Sequence, residues 1–140
     1  MNTIFLDIDG VMYGVGDSDL YYKMVNKDKL DMLYRFHKDN ACHIVITSTR
    51  RMYEYERLDI DEVFKGFNYS YLDYNVRLID RATEIEAYID ETKIKHYCIL
   101  DDNDLGYSLK PAIFNHFIQV DYLWGLREED LIKAKNILNN

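Results

Sequence analysis

Short runs of apolar β-formers, each ending abruptly in acidic or hydroxyl-bearing residues, constrain this chain more than any other feature. The first is Thr3–Ile4–Phe5–Leu6, which stops at Asp7. The second runs from Cys42 to about Thr47 and gives way to Ser48, the third is His96–Leu100 followed by Asp101 and Asp102, and the fourth is His116–Val120. Runs without polar alternation describe strands buried on both faces, and such strands belong to parallel sheets covered by helices on either side. The intervening segments agree. After Asn26, a good helix cap, Leu30, Leu33, Phe36 and His37 recur at helical spacing. Ile60, Val63 and Phe64 predict a short helix ending near Gly66, and Ala82, Ile85, Tyr88 and Ile89 predict another. A last helix opens at Glu128–Glu129–Asp130, where the helix dipole favours acids, and turns Leu131, Ala134, Ile137 and Leu138 inward. Strands alternating with helices predict an α/β fold of three layers around a central, mainly parallel sheet.

The 140 residues suit one domain, 1–140, because no repeat, low-complexity tract or Pro/Gly-rich linker divides them and the single Pro111 falls in a late loop. No apolar run approaches the ~18 residues of a membrane span. Asp7 and Asp9 interrupt the first apolar stretch, with no basic segment before it, so a secretory signal is not expected and a cytoplasmic location is. Two cysteines, Cys42 and Cys98, cannot supply a disulfide framework or a four-thiolate zinc site and are expected to be buried thiols. With 25 Asp and Glu against 17 Lys and Arg, the net charge of -8 argues against broad charge-driven binding to nucleic acid, though not against contact with one phosphate end.

Ligands of open parallel sheets bind outside the carboxyl ends of the strands, so the residues after each apolar run are the ones that carry chemistry. Here they are Asp7 and Asp9, then Thr47, Ser48 and Thr49 with Arg50 and Arg51, then Asp101, Asp102, Asn103 and Asp104. Arg81 stands before the helix between the second and third runs. Carboxylates brought together from two strands repel one another, and a hard divalent cation removes that cost. Mg²⁺ is the expected ion. Asp104 reads as a loop residue, the Asp59–Asp61–Glu62 run as a solvated face, and Arg50 and Arg51 either as substrate contacts or as solvated loop arginines. His37, His43, His96 and His116 show no paired metal-ligand spacing and are expected to be structural.

The set resembles the haloacid dehalogenase (HAD) superfamily of phosphotransferases. That superfamily has a strand ending in DxDG[TV], here Asp7–Ile8–Asp9–Gly10–Val11, a second strand ending in Thr or Ser, a Lys or Arg before a helix, and an acidic pair after a later strand. The resemblance implies a Rossmann-like core and a Mg²⁺-dependent phosphatase. It assigns Asp7 as the nucleophile that forms an aspartyl-phosphate and Asp9 as the acid and base. Thr47 or Ser48 would bind phosphoryl oxygens and Arg81 would neutralise their charge. Asp7, Asp102 and the backbone carbonyl of Asp9 would hold the metal, with Asp101 in support.

The segments 10–46 and about 50–80, where superfamily members insert cap domains, hold only elements that the basic fold needs, so a capless or minimal-cap enzyme is expected. A narrower resemblance reaches the small HAD domains of RNA-repair proteins, through Thr47–Ser48–Thr49–Arg50–Arg51, Arg81–Ala82–Thr83–Glu84–Ile85, Ile99–Leu100–Asp101–Asp102 and Val120–Asp121 with Gly125–Leu126. It favours Ser48 as the phosphate-binding hydroxyl, although those relatives often read Ser-Ser-Trp-Arg where this chain reads Ser48–Thr49–Arg50–Arg51. It implies a phosphorylated polynucleotide end as substrate, with tyrosines of segments 11–25 and 50–80 available to stack on bases. The alternatives are a phosphatase for a nucleotide or sugar phosphate, closed by oligomerisation, and a non-catalytic HAD-like binding protein. A PIN-type nuclease also clusters acids on such a sheet but gives no reason for Ser48 and Arg81.

Overall fold

Asn2–Leu6 forms the central strand, β1. The elements after it are β2 (Leu20–Tyr21), β3 (Val25–Asn26), α1 (Lys27–Asp39), β4 (Cys42–Ile46), α2 (Glu54–Val63), β5 (Tyr69–Tyr71), α3 (Arg81–Thr92), β6 (Tyr97–Asp101), α4 (Pro111–Phe114), β7 (Phe117–Gln119) and α5 (Glu128–Leu138). This computed structural model describes residues 1–17, 20–21, 24–72 and 80–140. Five strands make an all-parallel sheet in the order β5-β4-β1-β6-β7, and β2 and β3 form a small antiparallel pair.

The unbroken apolar runs have a direct cause. Ile4 and Leu6 of β1 pack with Ile44, Ile46, Cys98 and Leu100 against α1, α2 and α5, whereas Phe5, Val45 and Ile99 point the other way, onto Ala82 and Ile85 of α3, Tyr107 and Ile113. Both faces of the sheet are therefore dry, and alternation has no use. Asn26 caps α1 by accepting from the Lys29 N–H at 3.1 Å, and Leu30, Leu33 and His37 face the core.

Three features depart from the sequence reading. β5 lies in a region that showed no strand period. Its two tyrosines are half-buried, and both hydroxyls donate to Asp61 of α2 at 2.6 Å, so Asp61 is a partner for the edge strand and not merely part of a solvated face. Pro111 opens the short α4 where a loop was expected, its ring suiting the first helical position. Arg51 is buried and its donors go to protein oxygens, so it is not the solvated loop arginine that was one of the two expectations for it. Among the described residues, the stretches 10–46 and 50–80 contain no inserted domain, and no helix is long and apolar enough to cross a membrane.

Candidate active site

Strand register decides which side chains meet. Leu6 stands opposite both Ile46 and Leu100, so the chain leaves β1, β4 and β6 at one level. The Asp7 N–H donates to the Leu100 carbonyl at 3.0 Å and the Thr47 N–H to the Leu6 carbonyl at 2.8 Å. Asp7, Asp101 and Asp102 consequently converge: one carboxylate oxygen from each lies within 4.8 Å of the other two. Gly10, at φ +78, lets the turn after β1 lie directly against the Asp102 side chain.

The cluster is electrostatically uncomfortable as it stands. Burial raises the Asp7 carboxyl above its ordinary range, the charges of Asp101 and Asp102 raise it further, and the Ile8 N–H and Arg81 oppose the rise. Asp101, almost wholly buried, is raised by desolvation and by Asp102 against the opposing Asn103 N–H and Arg81. Its two oxygens accept from the Asn103 N–H at 3.1 Å and the Tyr107 hydroxyl at 3.2 Å. Hard oxygen donors held this close suit a divalent cation of the Mg²⁺ kind, which would supply the missing positive charge.

Asp9 faces elsewhere. Arg50 grips its carboxylate through Nε at 2.9 Å and Nη2 at 2.8 Å, and the Tyr13 hydroxyl donates to it at 2.7 Å. Partial burial works to raise the Asp9 carboxyl, but the Arg50 hydrogen bonds, the Tyr13 hydroxyl and the Arg50 charge outweigh it and hold the group below its usual range. Arg50 also reaches Glu56 at 3.2 Å, so it is neither a solvated loop arginine nor free for substrate in this state.

The turn after β4 is built by its own side chains. Ser48 Oγ accepts from the Arg50 N–H at 3.2 Å, capping a short 3-10 turn over Thr49–Met52. Thr47 and Ser48 are both buried. Opposite them Arg81 begins α3, after Asp80 has capped the helix by accepting from the Thr83 N–H at 2.8 Å. Arg81 is only 8% exposed, and its Nε and Nη1 have no hydrogen-bond partner. This buried guanidinium, whose charge acts on Asp7 and Asp101 and which makes a loose ion pair with Glu84 at 3.6 Å, has donors that could take oxygen atoms from a ligand.

Each strand-end residue singled out in the sequence thus lies along this edge of the sheet, with Asp101 inside the acidic cluster and the Asp9 carboxylate outside it. Tyr13, one of the segment 11–25 tyrosines expected to be available for base stacking, instead donates its hydroxyl to Asp9, a role that its loop position did not signal. Sequence reasoning missed Glu84, whose signal was a charge on the same helical stripe as Ile85 and Tyr88. Asp104, as expected, is a loop acid, accepting from the Ser108 N–H. His37, His43 and His116 hydrogen-bond to the protein, and Cys42 and Cys98 are buried thiols. The side chains of Tyr21, Tyr22 and Tyr74 lie outside the described residues.

No curated protein and no solved structure matches the chain. A family model described as the HAD domain in Swiss Army Knife RNA repair proteins matches residues 3–131, spanning every strand of the sheet and each acid of the cluster. The chain belongs to that family and so to the HAD-type hydrolases.

Proposed function

We propose that the protein is a Mg²⁺-dependent phosphomonoesterase that works through an aspartyl-phosphate on Asp7 and acts on phosphorylated polynucleotide ends. The observation that carries the reading is the pairing of the Asp7–Asp101–Asp102 cluster with the buried Arg81, whose Nε and Nη1 make no hydrogen bond. Asp7 and Asp102, with the Asp9 backbone carbonyl, would hold the metal, and Asp101, fixed by Asn103 and Tyr107, supports them. Bound there, the ion would offset the charge of the carboxylates and of the transferring group.

In the first half-reaction an Asp7 oxygen bonds to phosphorus as the ester P–O bond breaks, and Asp9 gives its proton to the departing oxygen. In the second, Asp9 takes a proton from the water that attacks the acyl-phosphate, releasing inorganic phosphate and restoring Asp7. Arg81 and the Ser48 hydroxyl hold the non-bridging oxygens throughout. Arg50 favours the ionised form of Asp9 in the absence of substrate, so for the first turnover the guanidinium must loosen its grip and Asp9 must take a proton from water; in later turnovers the proton comes from the attacking water of the preceding cycle.

Two observations support the polynucleotide substrate. The family occurs in RNA repair proteins. Directly after the Ser48 turn, Tyr53 and Tyr55 stand 53% and 68% exposed with ring centroids 6.0 Å apart, available for base stacking.

The test is phosphate release with Mg²⁺ from 3′- and 5′-phosphorylated oligonucleotides, the matching mononucleotides and sugar phosphates. The oligonucleotides should give the higher kcat/KM, and Asp7→Asn should lower turnover by about 10⁴-fold or more. Equal efficiency on mononucleotides would shift the substrate to small molecules, and wild-type turnover by Asp7→Asn would end the covalent mechanism.

A further inference from the structure

We propose that Arg51 is a positioning residue that ties down the Ser48 turn while drawing Glu84 out of hydrogen-bond reach of Arg81, so that the donors of Arg81 stay available to a phosphoryl group. The inference rests on the phosphoryl-transfer reading given above and concerns residues that touch no substrate in it.

Arg51 lies in the 3-10 turn after β4 with its side chain only 2% exposed. A cation taken that far from water must be met on all sides. Nε donates to the Leu72 carbonyl at 2.6 Å, Nη1 to the carbonyls of Thr47 at 2.7 Å and Ser48 at 3.1 Å, and Nη2 to Glu84 Oε2 at 2.6 Å. One guanidinium thus joins the chain leaving β4, the chain leaving β5 and the first turn of α3. The two carbonyls it grips belong to the residues expected to bind phosphate.

Glu84 divides its oxygens between two arginines. Oε2 accepts a short hydrogen bond from Arg51, while Oε1 makes only a looser ion pair with Arg81 Nε at 3.6 Å, beyond hydrogen-bond reach. Glu84 is bonded more tightly to Arg51 than to Arg81, and the Arg81 charge still acts on the carboxyls of Asp7 and Asp101. Were Arg51 absent, Arg81, three residues away on the same helix face, would be the cation left to Glu84 among the described residues. Glu84 would close on Arg81 and occupy the donors that a phosphoryl oxygen needs. Arg51 therefore competes for a carboxylate that would otherwise quench the phosphate ligand. Were the pair a strut serving only stability, removing either partner would lower the melting temperature and leave the grip on phosphate unchanged.

The distinguishing experiment is a double-mutant cycle of Arg51→Met and Glu84→Gln. Its readouts are p-nitrophenyl phosphate turnover with Mg²⁺, competitive inhibition by inorganic phosphate, and melting temperature. Arg51→Met should lower kcat/KM and weaken phosphate inhibition by about 100-fold, the scale of a misplaced catalytic group. Adding Glu84→Gln to it should recover about tenfold of both, because the quenching charge is gone while the apolar replacement stays. Glu84→Gln alone should lower the melting temperature yet leave phosphate inhibition as tight as wild type or tighter, and this variant decides the matter if Arg51→Met does not fold. Additive losses in the double variant, or weaker phosphate inhibition in Glu84→Gln alone, would overturn the inference while leaving the phosphatase reading intact. A wild-type protein that neither hydrolyses any phosphomonoester nor is bound by phosphate would remove that reading and this inference with it.

Discussion

Gly10→Ala separates the two demands that the first loop meets, backbone shape and room for a metal ligand. At φ +78 an alanine costs roughly 1–2 kcal/mol from backbone sterics alone. In addition its methyl would lie 2.6 Å from Asp102 Cγ and 3.1 Å from Asp102 Cβ. Carbon atoms settle at about 3.5–4.0 Å, so the carboxylate must retreat by about 1 Å. Mg²⁺ accepts ligands only near 2.0–2.1 Å in nearly ideal octahedral geometry, and a shift of about 1 Å removes one of them. Gly66→Ala is the control, because Gly66 has φ +94 with nothing within 4 Å of an added methyl. Both variants should melt about 3–8 °C lower without metal, as expected for a domain of this size losing 1–2 kcal/mol. Only Gly10→Ala should weaken the Mg²⁺ dependence of phosphate release, by about 10- to 100-fold, as measured by titrating initial rates with MgCl₂. Equal Mg²⁺ dependence in the two variants would refute the placement of Asp102 in the metal shell.

The metal-free protein should lose stability as pH rises above the ordinary carboxylate range. Asp7 and Asp101 have folded-state values raised above their unfolded ones, so their contribution is whole at low pH and disappears as they are forced to ionise, and saturating Mg²⁺ should flatten that slope; urea melts across pH with and without the ion measure both. Asp9 has the opposite sign, its lowered carboxyl stabilising above the unfolded value and losing that effect as pH falls. Arg50→Gln should therefore cost at neutral pH, but by no more than about 1 kcal/mol because the pair is partly exposed, and the cost should vanish in acid; a loss independent of pH would mean that Arg50 acts by packing.

β1, β4 and β6 were legible because burial on both faces leaves an unbroken apolar run, and α1 because Asn26 and its apolar stripe agree. β5 was not, since three residues at an edge, two of them tyrosines satisfied by Asp61, show neither an apolar run nor a clear alternation. Asp7, Asp101, Asp102 and Arg81 could be read from position alone, following strands or opening a helix. Arg51 and Glu84 could not. In the chain they are the second half of an Arg–Arg pair and one helix acid among several, and the 33-position gap from one to the other closes only when the turn after β4 meets α3. Arg50 was ambiguous for a similar reason: its partner Asp9 lies 41 residues earlier.

The central strand is also the first one made. Asn2 waits for Cys42 and Thr3 for Tyr97 before β1 has a neighbour on either side. At a synthesis rate of about 5–20 residues per second, β1 spends on the order of 5–20 s with an open edge on the side that β6 will fill. An apolar strand exposed that long invites misplaced pairing, and the charge at its end, Asp7, works against it there as it later works in the site. Because Asp101 and Asp102 terminate the strand that completes the pairing, the acidic cluster forms only when β1 loses its last free edge. A nascent or truncated chain lacking β6 has no complete acidic cluster, so the proposed metal site arrives together with the enclosure of β1.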